Sequence, residues 1–402
     1  MRNQPFVSVL LPVYNGEKYI HEAITSIINQ LDQDYELIIS IDSGSDSSES
    51  VARKFEEGNK RIRVFTHTRR LGMRGNYEFL IDKSNGSWLT IIGQDDAMMP
   101  FAISELRRSF EKVPDMSALV SRRAYAFWPD TNGYFGRHQF IYPIGVNQVS
   151  EVSSSRFLID CLKGKSEYSQ GPQLYTGSFI SKKVVLEFLS NQNGEVFPYP
   201  IPDVSSSASI LLATKNFHYS NLPLFIVGTS GSSTGVLIDK SLKSIDASPE
   251  IQKLYLEAFN GDSQKFETPG LGIFSTFSWY LYEAVSQISS LDQLSRLKFS
   301  PTWALAALRV ENRKKVRRQN DARDTIYALR RQFKTNGFSL QGKIIVIRLF
   351  KLRNLVQKYL NGLALFIQYR LILGSSSQQF DLIQSIELTS RKVNKRVLKK
   401  TK

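Results

Sequence analysis

The sequence predicts an α/β fold, a mainly parallel sheet flanked by helices on both faces and followed by a basic helical extension. Two observations predict the sheet. Short β-favouring apolar runs alternate with helix-length amphipathic segments through the first hundred residues, and polar turns close the runs at Tyr14-Asn15, at Asp42 and at Asp95-Asp96. The extension is read from charge. Of the formal net charge of +15, 23 Lys and Arg against 5 Asp and Glu lie from Pro301 to Lys402, so residues 1–300 are slightly acidic.

Phe6 to Leu11 is a continuous strand-forming run stopped by Pro12, and Glu17 to Asn29 then sets Ile20, Ala23, Ile24, Ile27 and Ile28 on one helical stripe. Tyr35 to Ile41 is the second strand. The turn Asp42-Ser43-Gly44-Ser45-Asp46-Ser47 leads into a helix through Val51 and Phe55, with Ser47 or Asp46 able to cap it. Arg61 to Thr66 is a third strand, Met73 to Lys83 a third helix, and Trp88 to Ile92 a fourth strand ending at Gly93-Gln94-Asp95-Asp96. Parallel strands joined by helices bring their carboxyl ends, and the loops after them, to one rim where ligands bind.

Composition narrows the chemistry. With 402 residues and 42% hydrophobic side chains the chain has room for two sizeable cores, while the single cysteine, Cys161, excludes an internal disulfide and a multi-thiolate zinc site. No secretory signal is read at Met1-Arg2-Asn3-Gln4-Pro5, and no stretch of 18 uncharged apolar residues is present, which disfavours a membrane span. A Gly-x-x-x-x-Gly-Lys-Ser/Thr loop and a Gly-x-Gly-x-x-Gly after the first strand are both missing, which argues against a nucleoside triphosphatase and a dinucleotide enzyme. Two adjacent carboxylates after an apolar strand repel each other, so a divalent cation or hydrogen-bond donors must compensate them. An oxygen-only site suits magnesium or manganese, and such a cation draws in phosphate oxygens.

The segments Phe6 to Ile20, Glu36 to Ser45 and Gly86 to Asp96 with Pro100 resemble, in order, the nucleotide-sugar-binding half of family 2 inverting glycosyltransferases with the GT-A-type fold. The resemblance implies that Pro12, Tyr14 and Asp42 form the nucleotide pocket, with Asp42 reading the base, and that Gly72, Arg74 and Asn76 border the donor, Arg74 toward a phosphate. It implies a metal site at Asp95 and Asp96, with Asp95 the first choice for the metal and diphosphate and Asp96 able to exchange roles with it. Ser43 stands where the family has a second aspartate, and Gly93 stands at the first position of the acidic metal motif. The family's base lies in a Glu-Asp pair at a downstream helix start. Here Pro202 replaces the first acid, and Asp203 is the expected catalytic base ahead of the helical run Ala208 to Ala213. As plain helix grammar, Pro then Asp also reads as capping. Tyr175-Thr176-Gly177-Ser178 is expected on the acceptor side, and Val227 to Gly235 is read as a glycine-rich loop near the diphosphate.

Residues 1–235 are therefore expected to be a glycosyltransferase catalytic domain, 236–300 its helical completion, with helical patterns at Ile251 to Phe259 and Phe274 to Ile288, and 301–402 a basic helical extension. Its Ile, Leu and Phe interleaved with Lys and Arg fit an anionic membrane surface or a homo-oligomer contact. The expected partners are a nucleoside diphosphate sugar and a glycan or lipid-linked acceptor, at a cytoplasmic location peripheral to the inner face of a membrane. Two alternatives compete with the inverting transferase. One is a non-catalytic scaffold on the same fold, suggested by Ser43, Gly93 and Pro202. The other is a nucleic-acid-binding protein, disfavoured because residues 1–300 lack a positive excess.

Overall fold

The computed structural model describes residues 4–131, 140–143, 148–191, 196–197, 201–233, 277–288, 303, 305–306, 331, 339–349, 352 and 382–400. Ten strands form one sheet: β1 (Val7–Val13), β2 (Tyr35–Ile41), β3 (Ile62–Thr66), β4 (Trp88–Ile91), β5 (Ala97–Met98), β6 (Ala118–Phe127), β7 (Phe140–Ile141), β8 (Val149–Ser153), β9 (Ser178–Ser181) and β10 (Asn216–Thr229). The principal order is β3-β2-β1-β4-β9-β6-β10-β5, with β7 on β6 and β8 on β10.

The first four strands pair in parallel, as their alternation with helices requires. Beyond β4 the directions mix. β9 runs antiparallel to both β4 and β6, while β6 and β10 are parallel to each other. All seven residues of β2 are buried, so the strand is covered on both faces, its polar Glu36 and Ser40 included.

Alternation along the strands sorts side chains into two layers. Val9, Leu11 and Ile39 face a layer with α1 (Ile20–Ile28) and α4 (Ala102–Lys112), where Ile20, Ile24 and Ile27 are fully buried. Each such side chain contributes roughly 1.5–3 kcal/mol by leaving water. Leu10 and Ile38, paired across β1 and β2, face the opposite layer. That layer holds α3 (Gly72–Lys83), α5 (Ser154–Leu162) and α7 (Pro202–Ala213), against which α8 (Phe277–Ile288) packs through Leu281, Ala284 and Val285. The remaining helices of the first two hundred residues are α2 (Ser48–Glu56) and α6 (Lys182–Asn191).

Two details differ from the sequence expectation. Of the two candidate caps of α2, Asp46 takes the role: its Oδ1 accepts the Ser48 N–H at 3.1 Å and the Ser48 hydroxyl at 2.6 Å, and Ser47 makes no side-chain cap bond. Val227-Gly228-Thr229 is the end of β10 and not loop, because Val227 to Thr229 pair with Tyr125 to Phe127 of β6; only the turn from Ser230 follows.

The expected helix Ile251 to Phe259 and most of the extension lie outside the described residues. Within the extension, residues 339–349 are helical, and the helix Leu382–Lys400 inserts Leu382 and Ile386 into the α1 layer. Among the described residues no helix is long and apolar enough to cross a membrane.

Candidate active site

The loops after β1, β2 and β4 are tied into one rim. Gln94 clips the Tyr14 peptide at both ends, its Oε1 accepting the Tyr14 N–H at 2.9 Å and its Nε2 donating to the Tyr14 carbonyl at 3.1 Å. Asn15, in the left-handed region at φ 48°, turns its Oδ1 to the Ser45 N–H at 3.0 Å. The Glu17 N–H donates to Asp46 and the Ser47 N–H donates to Glu17, each at 2.9 Å, so the starts of α1 and α2 cap each other. Pro12 is the sixth residue of β1, and Tyr14 follows that strand, 38% exposed, under the guanidinium of Arg70, whose Cζ lies 3.9 Å from the ring centroid.

Asp42 directly follows β2 and is buried. Its Oδ1 accepts the Leu71 N–H at 2.7 Å and the Ser43 N–H at 2.9 Å, and its Oδ2 accepts the Gly72 N–H at 3.0 Å. The carboxylate therefore serves the unsatisfied donors at the start of α3. Asn76, one turn into α3, donates to the Ser40 carbonyl at 3.2 Å, while its buried Oδ1 has no hydrogen-bond partner. Arg74 turns instead to Glu78, one helical turn on, at 3.0 Å.

After β4 the two aspartates separate, as adjacent side chains on an extended chain must. Asp96 turns inward and is 1% exposed. Its Oδ2 accepts the Thr176 hydroxyl and the Gly93 N–H, and its Oδ1 accepts the Gly228 N–H at 2.7 Å. One carboxyl thus joins β4, the segment before β9 and the end of β10. Burial, with the neighbouring charge of Asp95, pushes its pKa up to about 7. Asp95 stays nearer the surface; its Oδ2 accepts the hydroxyls of Ser230 at 2.8 Å and Ser233 at 2.7 Å. Burial raises its pKa and these hydroxyls oppose the rise.

Gly93 has a steric reason. A Cβ at that position would lie 2.6 Å from Asp96 Oδ2 and 2.8 Å from the Tyr175 hydroxyl. The space an acidic side chain would take at the first motif position is filled by Asp96 and Tyr175.

Asp203 is the second residue of α7, after Pro202 at the first helical position. The cap position belongs to Ile201, and no side chain caps the helix. The Asp203 carboxylate accepts instead the Tyr168 hydroxyl at 2.5 Å. Burial raises its pKa; the Tyr168 bond, the helix-start N–H groups and the charge of Arg123 pull the other way.

Two tyrosines lie among these acids. Tyr77 of α3, buried, and Tyr175, partly buried, stack at 6.5 Å between ring centroids, and both hydroxyls are held well above the ordinary phenol range by burial and by the charges of Asp95, Asp96 and Asp203. Gly93 lies against both Asp96 and Tyr175, and the Leu174 N–H donates at 3.0 Å to Ser206 of α7, the helix that carries Asp203, while Asp42 stands at the start of the helix that carries Tyr77.

Sequence reasoning missed Gln94, Tyr77, Tyr168 and Arg123 in their site roles. Gln94 sits inside a quoted motif and was visible; Tyr77 on α3, Tyr168 before β9 and Arg123 on β6 are set beside the site by tertiary packing that no local pattern states.

Among the described residues no three His, Cys, Asp or Glu side chains cluster as metal ligands. The oxygen chemistry of Asp95 suits a hard divalent cation that takes its other ligands from a diphosphate and water. Asp96, buried with both oxygens accepting hydrogen bonds, does not suit that role.

Residues 8–157 match the family described as Glycosyl transferase family 2. Over these residues, somewhat more than a third of the chain, the protein is similar to family 2 glycosyltransferases. The chain is 33% identical over 103 residues to GalNAc(5)-diNAcBac-PP-undecaprenol beta-1,3-glucosyltransferase of Campylobacter jejuni, a match covering 25% of this chain and 33% of that protein. It is 29% identical over 133 residues to an uncharacterized glycosyltransferase of Methanocaldococcus jannaschii, 33% of this chain and 45% of the other. The chain spans less than half the length of these curated relatives. Among solved structures, S. aureus TarS residues 1–349 in complex with UDP-GlcNAc superposes with a TM-score of 0.47 at 13% identity, over 81% of this chain and 92% of that one. The glycosyltransferase match ends in α5, so β9, β10 and Asp203 lie beyond it.

Proposed function

We propose that the protein is an inverting glycosyltransferase that moves a sugar from a nucleoside diphosphate sugar to a hydroxyl of a glycan or lipid-linked acceptor by direct displacement. The observation that supports the reading is that Tyr175, stacked on Tyr77, borders the acidic pair at Gly93 and Asp96 in the segment that Leu174 ties to Ser206 of α7, the helix of Asp203. Inversion needs a base on one side of the anomeric carbon and a stabilised leaving group on the other.

Asp203 is the base. Its raised pKa makes it a better proton acceptor than an exposed carboxylate, and Tyr168 holds its orientation. In the step, the acceptor hydroxyl transfers its proton to Asp203 as its oxygen bonds to the anomeric carbon and the bond to the diphosphate oxygen breaks. Tyr14 and the loops beside Pro12, Asp42, Gly72 and Asn76 border the nucleotide. Asp95 would hold magnesium or manganese, which when bound neutralises charge on the leaving diphosphate. Asp96 keeps the three segments of the rim together.

A lipid-linked acceptor is favoured by the undecaprenol substrate named for the Campylobacter relative. The extension supports a membrane-surface location. Ile345, Leu349 and Leu352 are 51%, 61% and 58% exposed at helical spacing, while Ile344 and Ile347 are buried. With Arg348 on the exposed side and many Lys and Arg around it, this stripe suits an anionic bilayer.

The test is transfer and donor hydrolysis by the full chain across UDP-, GDP- and dTDP-sugars, with and without magnesium or manganese. Cation-dependent release of a nucleoside diphosphate and an inverted anomeric product are expected. No turnover and no nucleotide binding with any donor would refute the reading. Co-sedimentation with phosphatidylglycerol vesicles but not phosphatidylcholine vesicles tests the location.

A further inference from the structure

At the end of β10 two serine hydroxyls meet the carboxylate of Asp95. Asp95 Oδ2 lies 2.8 Å from Ser230 Oγ and 2.7 Å from Ser233 Oγ, and the two hydroxyl oxygens lie 3.0 Å from each other. The three atoms form a nearly equilateral triangle of oxygens. Ser230 is 1% exposed, while Asp95 and Ser233 keep partial exposure, so solvent reaches the cluster beside those two residues. Among the described residues Asp95 forms no ion pair, and its Oδ2 is served by hydroxyls alone.

The backbone holds this triangle in place. β10 passes so close to Asp95 that a Cβ at Gly228 would sit 1.5 Å from the Asp95 carbonyl oxygen, and the Trp128 indole N–H donates to that same oxygen at 3.0 Å. Beyond the strand, the Ser233 N–H donates to the Ser230 carbonyl at 3.2 Å and the Ser230 N–H donates to Ser233 Oγ at 2.7 Å. Asp130 braces the same turn, its Oδ1 accepting the Gly231 N–H at 2.9 Å and its Oδ2 the Tyr19 hydroxyl. A hydroxyl has one proton and two lone pairs. Ser233 Oγ turns its proton to Asp95 and one lone pair to the Ser230 N–H, which leaves the second lone pair for another partner.

We propose that the hydroxyls of Ser230 and Ser233 are ligands, together with the Asp95 carboxylate, of a magnesium or manganese ion. The proposal deepens the proposed function and rests on its cation at Asp95. Magnesium holds six oxygens at about 2.0–2.1 Å in an octahedral array, so neighbouring ligand oxygens stand about 2.9–3.0 Å apart. Edges of 2.7, 2.8 and 3.0 Å come within a few tenths of an ångström of that spacing, so the three side chains match one face of the octahedron almost as they stand. Only the hydroxyl protons have to rotate, from Asp95 to phosphate oxygens or water. A hydroxyl beside an aspartate is a donor set that magnesium also takes in phosphate-binding loops. Three positions remain for diphosphate oxygens and water. The turn after β10 thereby supplies the ligands that Asp96, with both oxygens engaged, does not.

The experiment titrates manganese into the full chain, with and without UDP or GDP, and follows the free ion by electron paramagnetic resonance for the wild type, a double variant carrying Ser230→Ala and Ser233→Ala, and Ser233→Cys. The double variant is expected to hold manganese at least tenfold more weakly than the wild type. Ser233→Cys exchanges a hard oxygen for a soft sulfur, so its preference should move at least tenfold from manganese toward cadmium. Cadmium should also raise an ultraviolet thiolate charge-transfer band that the wild type, whose single cysteine Cys161 is buried, does not give. A serine that only braced the turn would produce neither effect. Unchanged manganese affinity in the double variant would overturn the proposal, as would Ser233→Cys without band or shift, or no manganese binding by the wild type. Thermal melting confirms that each variant is folded, and Ser233→Cys decides the matter if the double variant does not fold. Cation-dependent sugar transfer that is undiminished in the double variant would end this site and leave the transferase reading. Manganese held through the serines by a chain that transfers no sugar would do the reverse.

Discussion

The two ends of the sheet treat buried charge in opposite ways. At the amino ends of the strands, Glu36 accepts the Ser8 hydroxyl and the Asn85 N–H, each at 2.6 Å, and pairs with Arg63 at 2.8 Å, while Ser8 accepts the Gly86 N–H at 2.7 Å. Arg63 also donates to the Lys83 carbonyl. Glu36 and Arg63 answer each other, and the cluster joins β1, β2, β3 and the approach to β4. At the carboxyl ends, Asp95, Asp96 and Asp203 accept hydrogen bonds from hydroxyls and N–H groups and form no ion pair among the described residues. The first arrangement serves folding. The second is the arrangement that the proposed cation and nucleoside diphosphate sugar would complete.

The largest break in the comparison comes from the carboxyl end. Asp203→Asn keeps the shape and removes the proton acceptor, so kcat for transfer should fall about 10²- to 10⁴-fold with the melting temperature barely changed. Retained turnover in a steady-state assay would remove Asp203 from the reaction. At the amino end the effects reverse. Glu36→Ala strands Arg63 and two N–H or O–H donors, and should cost about 2–3 kcal/mol in a urea melt while activity per folded molecule is kept.

Gly93→Ala tests the packing of the acidic pair. Its methyl group must displace Asp96 or Tyr175, with an expected cost of about 1–3 kcal/mol and a weaker response to magnesium or manganese. The smallest effect is a pH dependence. Between the ordinary carboxyl value of 3.8 and about 7, folded Asp96 holds a proton that the unfolded chain releases. Stability therefore falls as pH rises across that window, and Asp96→Asn should flatten the slope of melting temperature against pH. Activity runs the other way, since Asp203 must lose its proton to act, and kcat/KM should climb with pH through its raised pKa before levelling.

The sequence made the parallel half of the sheet legible because β1 to β4 and their helices are local: each apolar run and the helix after it lie within about 30 residues of each other, and period and caps mark them. The rim loops were legible for the same reason. β9, β6 and β10 interleave over a hundred residues, and nothing in their local composition states that β9 enters between β4 and β6. The difference between Asp95 and Asp96 was hidden too, because it is set by Thr176, Gly228, Ser230 and Ser233, all more than 80 residues away except Thr176, which lies 80 away. Asp203 could be placed by its Pro-Asp helix start, but its partner Tyr168 could not.

The central claim is that Asp95 and Asp203 flank one cleft with different duties, donor on one side and acceptor on the other. Isothermal titration of nucleoside diphosphate with manganese into Asp95→Asn and Asp203→Asn measures it. Asp95→Asn should bind at least tenfold more weakly than the wild type and Asp203→Asn within about twofold of it, the tenfold loss being about 1.4 kcal/mol. Equal losses in both variants, or none in Asp95→Asn, would contradict the account.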